Sequence, residues 1–433
     1  LKIPVVVVGA GACGLVAALA AREAGAEAVI LERDASPSGS TALSSGFIPA
    51  AGTRWQRAAG VADSPGNFFQ DIRKKNHGQS DAERMRAICE AAGPTLEWLA
   101  DAHGVPFDLL RGFTYPGHGV ERMHALPEKT GASLMAALLR AAQGIDLLCS
   151  ARVTEARPGL VRFEHPDATA EEVECDALVL ACSGFGGNAT LVRQYLPDIA
   201  DALYFGHAGN QGDAIRWGAA LGAGLAHMGA YQGHGSVAIP HGILVTWALM
   251  SEGGIQVNAE GERFSNEHLG YSEQCLPVLR QPGGYAWCIY DERLHRLGMT
   301  FPDYQEAMKA GAIRPAPDLP RLVQTLAEVG MFHKGKPDPF GRDFTTKPAL
   351  VPPLYGVKVT GALFHTQGGL AVDTQARVLD RQGKPIAGLY AGGGAAAGIS
   401  GDEVWGYLSG NGLLSAVVLG RIAGQNAALW TSN

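Results

Sequence analysis

The chain has 433 residues, of which 46% are hydrophobic and 18% charged, with 58 glycines. This is a globular composition whose length points to two or three domains. A formal net charge of −7 and a pI near 6.0 argue against nucleic acid or an anionic membrane surface as partner. No apolar stretch of about 20 residues is free of charges and Gly clusters, so no membrane span is predicted. The chain opens almost directly in a strand, without signal-peptide regions, and the missing initiator Met leaves room for a removed upstream segment. The seven cysteines (13, 89, 149, 175, 182, 275 and 288) form no C-x-x-C, so neither an iron–sulfur cluster nor a zinc site is predicted. They read as reduced thiols of a cytoplasmic protein.

Residues 5–32 read VVVVGAGACGLVAALAAREAGAEAVILE, a complete dinucleotide-binding βαβ unit. Residues 5–8 are a β-branched run suited to a buried parallel strand. Gly9, Gly11 and Gly14 supply G-x-G-x-x-G: a tight turn, room for a pyrophosphate, and close helix–strand packing. The helix over 15–24 aims its N-terminal N–H groups at the phosphates. A second strand over 28–31 ends at Glu32, 18 residues after Gly14, placed to accept from ribose hydroxyls. Helical periodicity covers 64–143, notably 81–99 and 131–142, and strands between 147 and 164 alternate around Pro158-Gly159. Residues 176–181, DALVLA, form a buried strand running into the glycine-rich CSGFGGN. GNQGDAIRWGAALG (209–222) reads as a loop opening a helix, with Asp213 in its first turn. Between about 226 and 350, Gly, Pro and aromatic residues punctuate short elements, as in an inserted second domain. The first style then returns in 361–372, in LYAGGG (389–394) and in a helix over about 412–426. The predicted fold is α/β (α+β overall), a Rossmann-like dinucleotide domain over 1–225 and 351–433 with an α+β capping domain over 226–350.

Segments in this order resemble the FAD-dependent fumarate reductase, succinate dehydrogenase and 3-ketosteroid Δ1-dehydrogenase superfamily. They are GST…GFIPA (39–50), ACSGFGGN (181–188), GNQGDAI (209–215), NAEGERFSNE (258–267), HTQGG (365–369), GLYAGGG (388–394) and SGNGLLSAVVLGRIAG (409–424). The resemblance implies that FAD is contacted by Gly9, Gly11, Gly14, Glu32, Arg33, Ser40, Thr41, Ser45, Gly46, Val153, Ser183, Gly184, Asn188, Asp213, Gly393, Gly410, Asn411, Leu413 and Leu414. Thr41-Ala42-Leu43 stand where succinate dehydrogenase relatives carry a flavin-tethering histidine, which implies noncovalent FAD. Gly394 stands where fumarate reductases carry Glu and the steroid enzymes Asn.

By resemblance to the fumarate reductases, His234 and His365 match carboxylate-binding histidines, and Arg263 a substrate-binding proton donor. The arginine clamp before the last helix is replaced by Trp405-Gly406-Tyr407, and Trp247 and Met250 stand at the upstream proton relay, so fumarate itself is disfavoured. RFSNEHLGY resembles the ketosteroid branch, with Tyr271 as base and Tyr407, aided by a backbone N–H such as that of Gly410, as donor to a ketone oxygen. A tyrosine is a weak base near pH 7, and a nearby Arg263 would stabilise its phenolate. Alternatives stand beside these roles: His234 as an interface histidine, His365 beside the flavin, Arg263 pairing with Glu267 to fix its loop, and Tyr271 and Tyr407 as packing residues. Tyr115 and Tyr231 are further possible donors, and His124, Asp402, Glu403 and Trp405 possible pocket residues.

The expectation is an FAD oxidoreductase acting on CH–CH groups by α,β-desaturation of a small ketone or carboxylate, with Tyr271 or Arg263 taking the proton. The rivals are an ene-reductase using Arg263 as acid and an electron-transfer subunit without substrate chemistry. An NAD(P)H-dependent monooxygenase is disfavoured by the single complete G-x-G-x-x-G fingerprint. Without C-x-x-C-H for haem, electrons pass to or from a quinone, a carrier protein or O2.

Overall fold

The computed structural model describes residues 2–432. β1 (Lys2–Val8) and β2 (Ala28–Leu31) pair in parallel, Val5 opposite Ala28, and are joined by α1 (Ala12–Glu23). β3 (Asp146–Leu148) continues the sheet beside β2, and β4 (Ala170–Leu180) lies along the other side of β1. Val5, Val6 and Val7 have no exposed surface, as a strand covered on both faces requires. β4 starts earlier than the expected 176. Its polar first half carries no apolar run because it pairs with the exposed hairpin Arg152–Arg157/Leu160–Glu164 rather than with β1.

A second sheet follows. β5 (Tyr231–Ala238), α2 (Tyr271–Leu279), β6 (Tyr285–Asp291) and β7 (Leu354–Thr366) form its body, with β7 between β5 and β6. Leu203–Tyr204 and Ile313–Pro315 also pair with β7. The sheet therefore spans more than the expected 226–350, and the boundary at 350 falls just before its central strand. The shift in composition marks the inserted loops and helices, whereas strand pairing crosses it. Gly233 and Gly235 of β5 and Gly361 of β7 face α2: a Cβ on Gly233 would lie 2.7 Å from Cys275 Cβ, and one on Gly361 2.5 Å from Cys275 O. Side chains there would push α2 off the sheet.

The chain then returns to the first sheet. β8 (Pro385–Ala391) pairs in parallel with β4, giving the order β8-β4-β1-β2-β3. α3 (Asn411–Thr431) lies on α1 with backbones nearly touching: a Cβ on Gly420 would come 2.5 Å from Cys13 O, and one on Gly424 would overlap Ala17 O. α3 is long and apolar enough to cross a membrane by length and composition, but 56% of its most apolar window is buried in the protein. All seven cysteines are free thiols.

These contacts predict opposite outcomes for one substitution. Gly424→Ala overpacks the α1–α3 seam and should lower stability by about 1–3 kcal/mol. Gly330→Ala, in the helix Leu322–Phe332 with nothing within 4 Å of the new methyl, should raise it by about 0.5–1 kcal/mol. Chemical denaturation of the two variants checks both signs.

Candidate active site

The carboxyl ends of the parallel strands converge on one cleft of about 420 Å³, lined by Gly9 after β1, Glu32 after β2, Ser183 after β4 and Gly393 after β8. Its far wall comes from the second sheet through His234 and His365. An open α/β sheet binds ligands at this edge. Gly9 has φ 101°, and a Cβ there would lie 2.6 Å from Ala181 O. A Cβ on Gly11 would meet only Thr41 Oγ1, at 3.5 Å, so this is the backbone that a pyrophosphate can approach. Glu32 is 8% exposed and accepts from Ala10 N at 2.8 Å and Asp34 N at 2.9 Å, which fixes its carboxylate at the cleft. These features fit a dinucleotide cofactor.

Of the expected cofactor contacts, Gly9, Gly11, Glu32, Arg33, Ser40, Thr41, Ser45, Val153, Ser183, Asp213, Gly393, Gly410 and Leu413 line the cleft. The others stand behind it as framework. A Cβ on Gly14 would overlap Gly9 O, one on Gly46 would lie 2.7 Å from Thr130 O, and one on Gly184 would overlap Thr366 Oγ1. Asn188 caps the helix Ala189–Tyr195, Asn411 donates to Ser400 Oγ, and Leu414 is core.

At the opposite end, β5–β7 pairing sets Gln232 opposite His365 and His234 opposite Ala362. Tyr271, first residue of α2, stacks on the His234 ring at 4.5 Å and 11°. The Tyr407 ring lies 6.1 Å from Tyr271 and 5.5 Å from His365. Tyr407 Oη accepts from Gly412 N at 3.4 Å, and the Tyr271 side chain is flanked by those of Tyr407 and Ser409. Burial holds these groups neutral: it pushes Tyr407 up to about 12, Tyr271 well above its usual 10, and His234 and His365 down to about 3 and about 4. Of the further candidates Tyr115 lines the cleft, with its hydroxyl near Thr246. Tyr231, His124, Asp402, Glu403 and Trp405 are outside the lining. His124 bonds Thr53, Asp402 pairs with His227, and Trp405 stacks on His77.

Arg263 is a correction. It is absent from the lining, 9% exposed, and held by Glu267 at 2.7 and 2.9 Å and by Asp338 at 2.6 Å. Burial alone would lower its pKa, but Glu267 and Asp338 outweigh it and raise it. Likewise burial would raise Glu267, but Arg263 and Arg342 hold it down at about 2. Arg263 neither donates a proton in the cleft nor stabilises a Tyr271 phenolate; its alternative as a loop-fixing partner of Glu267 is what the structure contains. Sequence reasoning also missed Lys129, Thr246, Phe301, Asp303, Phe364 and Gln367 as lining residues. Phe301-Pro302-Asp303 opens the helix Pro302–Lys309, and a Pro at a helix start was the one local signal there. Asp303 is pushed up to about 6 by burial and then by Glu306.

The arginines of the lining are Arg33, Arg152 and Arg216. They are engaged at the dinucleotide end, with Gly209 O, Glu164 and Asp213. Among the described residues, Lys129 is the one cationic side chain beyond them in the wall.

The family described as "FAD binding domain" matches residues 4–413. A probable fumarate reductase of Shewanella frigidimarina is 30% identical over 98% of this chain and 74% of its own length. Among solved structures, the open conformation of a flavocytochrome c3 fumarate reductase superposes with TM-score 0.83 at 28% identity, over 100% of this chain and 79% of that one. The 3-ketosteroid-Δ4-(5α)-dehydrogenase of Rhodococcus jostii, in complex with 4-androstene-3,17-dione, superposes with TM-score 0.77 at 25% identity, over 99% and 97%.

Removing Arg263 leaves buried Asp338 without a guanidinium partner and Glu267 with Arg342 alone. Arg263→Ala should cost about 3–5 kcal/mol, read by denaturation. Because the folded pKa of Glu267 lies below its ordinary 4.5, the ion pair's contribution is full above that pH and is lost as pH falls through about 2. The variant's stability deficit should shrink over this window.

Proposed function

Because the chain belongs to the FAD binding domain family, we propose that its cleft desaturates the carbon–carbon bond next to the carbonyl of an uncharged ketone. The chain is an FAD-dependent oxidoreductase acting on CH–CH groups. The observation that carries the finer reading is the neighbouring phenols Tyr271 and Tyr407, their rings 6.1 Å apart, in a substrate end without arginine. A dicarboxylate needs bidentate guanidinium partners to replace its water, whereas a ketone needs one or two neutral donors. Tyr407 supplies one. Its oxygen accepts from Gly412 N, so its own proton would serve the substrate carbonyl, and burial keeps it a phenol.

Bound FAD, noncovalent since no histidine occupies 39–50, would accept hydride at N5 from the β-carbon. Gly11, Glu32 and Thr41 would hold its dinucleotide, and the turn before α3 its flavin edge. Tyr271, beside Tyr407 and with the Ser409 side chain close by, would take the α-proton as phenolate. Hydrogen bonding of the carbonyl by Tyr407 acidifies the α-carbon and ties the two steps to one bond. Phe47, Tyr115 and Phe301 would pack on the carbon skeleton. The ketone bound to the R. jostii neighbour supports this reading. Electrons would leave to a quinone, a carrier protein or O2.

A second reading, ene reduction, is favoured by the protonated state in which burial holds Tyr271, which would then give its proton to the α-carbon. The two directions differ with pH. Desaturation needs the phenolate of a group whose pKa lies above 10, so its rate should rise about tenfold per pH unit between 7 and 9. Proton donation by the same phenol stays flat there.

Tyr271→Phe should lower turnover about 10²–10⁴-fold in either direction while flavin absorbance shows FAD retained. Anaerobic flavin absorbance with cyclic ketones, keto acids and dicarboxylates tests the assignment. Bleaching by a ketone is expected; reoxidation of reduced enzyme by enones alone assigns ene reduction, and response to dicarboxylates alone overturns the ketone.

A further inference from the structure

The two histidines of the cleft have different partners behind them. His234 Nδ1 lies 3.1 Å from Ser236 Oγ, and that hydroxyl gives its one proton to Val245 O at 2.6 Å. Ser236 Oγ is therefore left to accept, which puts the imidazole proton on Nδ1 and leaves Nε2 bare. His365 Nδ1 lies 3.2 Å from Gln367 Nε2. The other end of that amide, Oε1, accepts from Ser400 Oγ at 2.8 Å, and Ser400 Oγ in turn accepts from Asn411 Nδ2 at 3.3 Å. An amide nitrogen only donates and, at 3.2 Å, it lies nearer to Nδ1 than the competing acceptor Thr366 O at 3.4 Å, which favours a bare Nδ1 and a proton on Nε2. Both rings line the cleft, and neither Nε2 has a protein partner among the described residues.

We propose that Ser236 and Gln367 are positioning residues that lock His234 and His365 in opposite tautomers, so that the cleft presents one imidazole N–H, on His365, and one bare imidazole nitrogen, on His234. This deepens the ketone reading and rests on it for what the pattern selects. His365 stands beside Tyr407 as a second donor for a carbonyl oxygen, while His234 meets the ligand with a lone pair. A carboxylate at His234 faces repulsion; a hydroxyl or N–H of the substrate is accepted there. Gln367 is the less replaceable of the two. Without it, the remaining neighbour of His365 Nδ1 is Thr366 O at 3.4 Å, which accepts and so draws the proton to Nδ1.

The test needs no substrate. Long-range 1H–15N spectra of FAD-loaded enzyme carrying 15N-histidine, at pH 7.5, report which ring nitrogen bears the proton, with the two residues assigned by their loss in His234→Asn and His365→Asn. The expected result is protonated Nδ1 on His234 and protonated Nε2 on His365. Gln367→Met, close in volume, should move the His365 proton to Nδ1, and Gln367→Glu, which can accept but not donate, should do the same. Ser236→Ala should release His234 from the Nδ1–H form and leave His365 unchanged. The same tautomer on both rings of the unsubstituted enzyme overturns the proposal, as does a His365 proton that stays on Nε2 in both Gln367 variants. Failure of every ketone to react would overturn the substrate reading while leaving the tautomers as measured.

Discussion

Every wall of the cleft depends on backbones meeting where a side chain would normally stand. α1 sits against β1 because Gly14 lies on Gly9, and α3 reaches α1 because Gly420 and Gly424 lie on Cys13 and Ala17. α2 lies flat on the second sheet over Gly233, Gly235 and Gly361. These approaches fix three helix positions to within a methyl group, and native interiors absorb little more than that. Tyr271 is at the start of α2, and the Ser409-Gly410 turn of the cleft lining is at the start of α3. The chemistry is thus placed by contacts made behind it.

The charges are segregated in the same way. The arginines of the lining are engaged at the dinucleotide end, and Arg263, Glu267, Asp338 and Arg342 neutralise one another in the interior of the second unit. What remains around the substrate is Lys129 and Asp303 near Phe301, with phenols and imidazoles that burial keeps uncharged. Such a site binds through directed hydrogen bonds, and its discrimination comes from which atoms carry protons.

The dinucleotide unit was legible because its information is local: a β-branched run, three glycines and an acid within 30 residues. The extent of the second sheet was not, because the main partners of β7, β5 and β6, lie more than 60 residues away from it and β7 reads like the strands of the first sheet. Tyr271, Tyr407, His234 and His365 do come together at the cleft. Arg263 was misplaced because a motif gives residue type and spacing without side-chain direction. Its i,i+4 partner Glu267 was visible, whereas Asp338, 75 positions away, was not. The protonation pattern of the histidines lay beyond the sequence, since Val245 and Ser400 enter only through the fold.

α3 carries a consequence for how the protein is made. It seals α1, opens at the Ser409-Gly410 turn that lines the cleft, and supplies the Gly412 N–H that holds Tyr407, yet it is residues 411–431 of the chain. The βαβ unit leaves the ribosome well before α3, with one face of α1 bare until α3 arrives. Because domains mature as units during synthesis, the nascent chain has no finished cofactor site to load until the last twenty or so residues of this sequence have emerged. A chain that has not yet extruded α3 therefore presents a bare apolar helix face rather than a finished cofactor site.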